Sequence, residues 1–187
     1  MHCLKDRDLN LIKILDKEFA RIITKEELNK RIDHLAQRIN HDYQSKEILF
    51  VSILNGAFVF SADLYRKIQG NHRIEFMKAS SYKGLKSSGD IRLLLNIDQE
   101  DITNKHIIII EDIVESGNTL SKIMADLGDK GPKSIQIATM FYKPNLFKHS
   151  FSPKYIGFVI SDEFIIGYGL DYNGYGRNLP DVYQLKL

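Results

Sequence analysis

Apolar and polar positions along the chain change period several times, and each change marks an element. Residues 107–110 are four isoleucines in succession, with no polar alternation. A β-branched run of that kind predicts a strand buried on both faces, as in a parallel sheet covered by helices. Residues 47–54 predict another buried strand, and 56–68 the helix after it. Residues 73–82 alternate well enough for a further strand, and 91–95 form a short one. Beyond the isoleucine run, 120–127 carries a helical pattern, 128–132 a turn, and 134–142 and 155–160 two more strands. Near the start, Thr24 and Glu27 have the spacing of a capping box, and Leu28, Ile32, Leu35 and Ile39 mark one face of the helix it would open. The tail from Asp162 is rich in aromatics and glycine and has no long helical pattern.

Strands alternating with helices predict an α/β fold, a mainly parallel twisted sheet with flanking helices. We read one domain over residues 1–187, with a core at about 45–150. The chain ends, about 1–25 and 151–187, would build a small hood lobe over the strand tips. Composition adds exclusions. With 43% hydrophobic and 27% charged residues, 187 positions suffice for an ordinary globular core. A net charge of +2 gives no reason to expect a nucleic-acid partner. Cys3 is the only cysteine, which excludes an internal disulfide and a cysteine-rich metal site. The polar start and the lack of a long apolar run predict no secretory signal, no membrane span and a cytoplasmic location.

Glu111 and Asp112 follow the isoleucines at the carboxyl end of the strand, where open α/β sheets bind ligands. Ser116, Gly117, Asn118 and Thr119 then form a polar turn before the next helix. Glycine lets backbone approach an anion, and the first amides of a helix leave donors free for one. The acidic pair would repel a phosphate beside it, so its partners are sugar hydroxyls or a magnesium ion. Taken alone, an acidic pair more often caps a strand and such a turn a helix. A nucleotide triphosphatase would need a Gly-x-x-x-x-Gly-Lys-Ser/Thr cradle, which occurs nowhere in the chain.

The ordered string Glu111–Asp112–Ile113–Val114–Glu115–Ser116–Gly117–Asn118–Thr119 resembles the phosphoribosyl pyrophosphate motif of the type I phosphoribosyltransferases. Other segments resemble the hypoxanthine-guanine phosphoribosyltransferases in particular. Leu54–Asn55–Gly56 looks like their pyrophosphate loop, and Ser81–Tyr82 with 87–90 like their flexible closing loop. Lys143–Pro144, residues 162–172 and Arg177 look like the purine end. The resemblance implies transfer of the phosphoribosyl group from phosphoribosyl pyrophosphate to a 6-oxopurine, hypoxanthine or guanine and possibly xanthine, giving IMP or GMP. It implies magnesium held through Glu111, Asp112 and Asp171, and assembly as a homodimer or homotetramer. It assigns Asn55, Gly56, Ser81, Tyr82 and Arg177 to the pyrophosphate side, and Ser116 to Thr119 to the 5-phosphate. Phe164 would stack on the purine, Lys143 donate to its 6-oxo group, and backbone near Ile165 read its edge, with Asp171 close by.

Two positions depart from the pattern. Glu115 stands where the family has aspartate, the general base facing the five-membered ring; glutamate carries the same group one methylene further out. Asn55 stands where lysine or arginine is common. The peptide before it can be cis in the family, so Asn55 and Gly56 are expected to act through backbone, without the missing charge. The polar stretch 83–89 is expected to close over the site and exclude water. A reading from another class is a regulatory protein that keeps the fold and senses phosphoribosyl pyrophosphate. The near-neutral, module-free chain speaks against it.

Overall fold

The computed structural model describes residues 10–81, 91–95 and 97–186. The strands among them are β1 (Leu11–Ile14), β2 (Lys17–Ile23), β3 (Ile48–Leu54), β4 (Arg73–Ser81), β5 (Ile91–Leu95), β6 (His106–Val114), β7 (Ser134–Tyr142), β8 (Tyr155–Val159), β9 (Ile165–Ile166) and β10 (Val182–Leu185). The helices are α1 (Lys25–Asp42), α2 (Phe58–Tyr65), α3 (Gln99–Ile102) and α4 (Asn118–Gly128). None is long and apolar enough to cross a membrane. Tyr82 and the stretch 83–90 lie outside the described residues, and of Ser81 only the backbone is described.

The larger sheet has the order β5-β4-β3-β6-β7-β8. Five strands run parallel, and β5 pairs antiparallel with β4 at one edge. From β3 the chain winds outward to β4, then returns to the other side of β3 as β6. Winding therefore reverses between β3 and β6, and the crevice at their carboxyl ends is where such sheets take ligands. The isoleucine run shows why no polar residue alternates within it. Ile108 and Ile110 join Phe50 in the core formed with α1 and α2. Ile107 and Ile109 join Leu49 and Val51 against Leu120, Ile123 and Leu127 of α4. Both faces are covered, so both must be apolar.

The capping box forms as predicted: the Glu27 N–H donates to Thr24 Oγ1 at 3.3 Å and the Thr24 N–H to Glu27 Oε2 at 2.8 Å. The smaller sheet, β1-β2-β10-β9, is antiparallel and draws on both chain ends around Phe19, Ile166 and Tyr183. Three boundaries differ from expectation. Strand β8 pairs with β7 in the large sheet, so the core sheet runs to Val159. Helix α2 fills only the middle of 56–68. And β6 does not stop at Ile110; pairing of Ile113 with Phe141 and Val114 with Tyr142 keeps it extended through the acidic pair.

His106, at the start of β6, makes the fold pH-sensitive. Its Nδ1 meets Ser134 Oγ at 2.8 Å and its ring stands edge-on to Tyr43 at 5.6 Å. Burial, then the charges of Lys46 and Lys133, push it below its usual 6.5. The unfolded chain thus takes up this proton at a higher pH than the fold does. Stability contributed by the neutral ring is complete above about pH 6.5 and is lost as pH falls toward the folded value. Urea midpoints should fall less with acidification in His106→Asn than in the parent; parallel pH profiles would refute this.

Candidate active site

Two strand ends and the chain beyond a third converge on one point. Val114 and Tyr142 are paired in register, so Glu115 and Lys143 leave β6 and β7 side by side. The Lys143 N–H donates to the Val114 carbonyl at 2.9 Å, which fixes that exit. Lys143 is 3% exposed, and its Nζ lies 2.6 Å from Glu115 Oε1 and 3.4 Å from the carbonyl of Asp162, beyond β8. Glu115 itself is half exposed. A buried ammonium requires such partners, since desolvating an unpaired charge is costly.

The acidic pair sits at the switch between β6 and β3. Glu111 Oε2 is buried and has no hydrogen-bond partner among the described residues. Burial, reinforced by repulsion from Asp112, raises the Glu111 carboxyl well above its ordinary 4.5. Burial also raises Asp112, against the lowering effects of the Ile113 N–H, which donates to Oδ1 at 2.8 Å, of a hydrogen bond with the Glu111 side chain, and of the Arg177 charge. The turn after β3 begins with a cis Leu54–Asn55 peptide. Gly56 follows, and a Cβ there would overlap the Asp112 carboxylate. Glycine is thus required for β3 and β6 to close at this end. Gly56→Ala should lower stability by about 1–3 kcal/mol, as overpacking does. An unchanged thermal midpoint would exclude that contact.

The polar turn meets its expectation in backbone form. Gly117 has φ of 79° and opens α4 without a side-chain cap, leaving the helix start available to an anion. Glu111 and residues 113–120 line a small cavity of about 130 Å³ here. Over the same crevice lies the tail. A Cβ on Gly169 would overlap the carbonyl of Gly56, so the tail rests on the β3 turn. Arg177 donates to the Gly169 carbonyl at 2.7 Å and pairs with Asp171 at 2.6 Å. Asp171 also accepts from the Gly174 N–H at 2.6 Å. Ile165 is buried in β9, and the neighbouring Phe164 ring is 43% exposed. Among the described residues no three His, Cys, Asp or Glu side chains gather as a metal site, so Asp171 does not join Glu111 and Asp112 in one cluster.

Residues 21–173 match the family described as phosphoribosyl transferase domain. The chain is 42% identical over 164 residues to the hypoxanthine phosphoribosyltransferase of Buchnera aphidicola, covering 86% of this chain and 92% of that protein. It is 38% identical over 176 residues to the hypoxanthine-guanine phosphoribosyltransferase of Aquifex aeolicus, covering 93% and 98%. The chain belongs to the hypoxanthine-guanine phosphoribosyltransferase family. A crystal structure of a Staphylococcus aureus hypoxanthine phosphoribosyltransferase superposes with a TM-score of 0.84 at 35% identity, covering 98% of each chain. The protein is accordingly a transferase of purine salvage, and the regulatory reading is not favoured. Its five parallel strands and separate antiparallel hood are the type I phosphoribosyltransferase architecture that the motifs imply.

Some neighbours of this phosphoribosyltransferase site carry no sequence signal. Phe19 and Tyr172 pack on the Phe164 ring at centroid distances of 6.4 and 6.0 Å, and with Lys17 they line a cavity beside it. Phe19 comes from β2, so only the hood sheet brings it there. His149 is the other such residue. It lies in a stretch with no periodicity, yet it touches Asn118 at the start of α4.

Proposed function

We propose that the protein transfers the ribosyl 5-phosphate group of phosphoribosyl pyrophosphate to a 6-oxopurine, hypoxanthine or guanine. The products are IMP or GMP and pyrophosphate. The observation that carries this reading is the Glu115–Lys143 pair at 2.6 Å, set beside a helix that opens on glycine and a buried Glu111 oxygen with no hydrogen-bond partner among the described residues. Lys143 donates to the 6-oxo group while Glu115 accepts the proton from the five-membered ring as the ring nitrogen bonds to the ribose. Phe164 supplies the stacking face, with backbone at Ile165 reading the ring edge. Ser116 to Thr119 hold the 5-phosphate, whose binding energy goes into orientation.

Asn55 and Gly56, through backbone, and Arg177 receive the pyrophosphate. Arg177 suits phosphate because its planar fork presents paired donors. The carboxylates Glu111 and Asp112 orient the ribose hydroxyls and favour positive charge developing on the sugar. Magnesium fits this donor set. The orphaned Glu111 oxygen beside a second carboxylate wants a cation, and an ion bound by one or two carboxylates plus substrate oxygens needs no three-residue cage. Glu111 and Asp112 would hold it, Asp171 standing apart on Arg177, and it would supply charge neutralisation at the departing pyrophosphate. The enzyme works in the cytoplasm as a homodimer or homotetramer. An ultraviolet assay with phosphoribosyl pyrophosphate, magnesium and each of hypoxanthine, guanine and xanthine tests the reading. Nucleotide should appear with the first two; product with none of the three would refute it.

A further inference from the structure

The segment after β7 braces the phosphate turn at three places. The Lys148 N–H donates to the Ser116 carbonyl at 3.3 Å. Phe147 packs so close to Gly117 that a Cβ there would overlap its ring, and the same Cβ would lie 2.9 Å from His149 Cδ2. His149 Nε2 lies 3.0 Å from Asn118 Oδ1. An amide oxygen only accepts, so the imidazole N–H is the donor. The ring is held for this contact by stacking on Phe151 (centroids 5.3 Å apart, planes 25° apart) and by an edge contact with Phe147 at 5.8 Å.

We infer that His149 is a positioning residue for phosphate binding, acting through Asn118. This rests on the functional reading above and deepens it at the 5-phosphate end. Asn118 is the first residue of α4 and lines the small cavity at the turn. Its carboxamide has an acceptor end and a donor end. The acceptor end would repel a phosphate, whereas the donor end adds to the amides of the helix start. Because His149 occupies Oδ1, the NH2 group is the end left for a ligand. The histidine thus selects the amide orientation that suits an anion, without touching the anion itself. Nothing in the local sequence around residue 149 signals this, because the contact spans 31 positions.

Steady-state kinetics on four variants test it. His149→Phe keeps an aromatic ring between Phe147 and Phe151 but removes the N–H. It should raise KM for phosphoribosyl pyrophosphate about three- to tenfold, the range of one hydrogen bond, while kcat and KM for hypoxanthine stay near the parent values. His149→Gln restores a donor and should recover part of that loss. In an Asn118→Ala background, His149→Phe should add no further rise. Calorimetric binding of ribose 5-phosphate should follow the same order and does not depend on turnover. An unchanged KM in His149→Phe, or a rise of equal size without the Asn118 side chain, overturns the inference. Either result with parental turnover intact leaves the transferase reading standing, whereas an inactive parent removes that reading first.

Discussion

Replacing Glu115 by glutamine is expected to lower turnover at saturating substrates by roughly 10²- to 10⁴-fold, the usual effect of losing a positioned general base. The geometry makes the comparison clean. Glutamine keeps an amide oxygen within reach of Lys143, and the Asp162 carbonyl still faces the ammonium, so the buried lysine retains partners and the fold should survive. Glu115→Asp separates charge from length. It restores the acid but withdraws it by one methylene from a lysine that glutamate reaches at 2.6 Å. If the backbone adjusts, the aspartate variant should keep most of the parent rate. A displacement of about 1 Å that does not relax could cost roughly a hundredfold. Stopped-flow or steady-state rates for the three forms decide; parental turnover in Glu115→Gln would exclude the base.

Glu111→Gln should separate stability from activity, raising one and lowering the other. The Glu111 carboxyl is raised by burial and by Asp112 beside it, and its Oε2 has no partner among the described residues. Its sign follows from linkage. The fold holds this proton more tightly than the unfolded chain, so stability falls as pH rises from the ordinary 4.5 toward the raised value. Raising the pH from acid toward neutrality therefore costs the ligand-free fold stability. A neutral amide removes the repulsion and can donate to the Asp112 carboxylate beside it, an exchange of about 1–3 kcal/mol. At this chain length each kcal/mol moves the thermal midpoint by about 2–4 °C. On the proposed function, the same change removes the carboxylate charge that serves the ribose hydroxyls and magnesium, and transfer should slow by roughly a hundredfold. Calorimetry without ligands and a rate assay test both halves. A lower midpoint would show that Glu111 stabilises the fold instead of serving the site.

Much of this was legible before any tertiary contact was known. The strands at 107–110 and 134–142 and the helix that opens after Thr24 follow from period, β-branching and a local cap, all short-range properties of the chain. The turn at 116–119 was equally legible as a helix start, because a glycine at positive φ ahead of a helix is a local requirement. What misled was the strand end. Glu111 and Asp112 look like the residues after a strand, yet parallel pairing with β7 carries the backbone four residues beyond Ile110. Ladder hydrogen bonds with a neighbour decide where a strand stops, and that neighbour lies more than twenty positions away.

By itself, then, the sequence determined the parallel α/β class, the acidic pair followed by a glycine turn and a helix, and the order of motifs along the chain. Each depends on residues within a few positions of one another, or on residue types that suit a given chemistry. Only the tertiary structure decided that β3 and β6 are adjacent, placing Gly56 against Asp112 at the winding switch. It alone paired Glu115 with Lys143, through the register of Val114 with Tyr142. It alone set Phe19 beside Phe164 and His149 on Asn118. These contacts follow from strand order and sheet register, which bring together residues far apart in the chain.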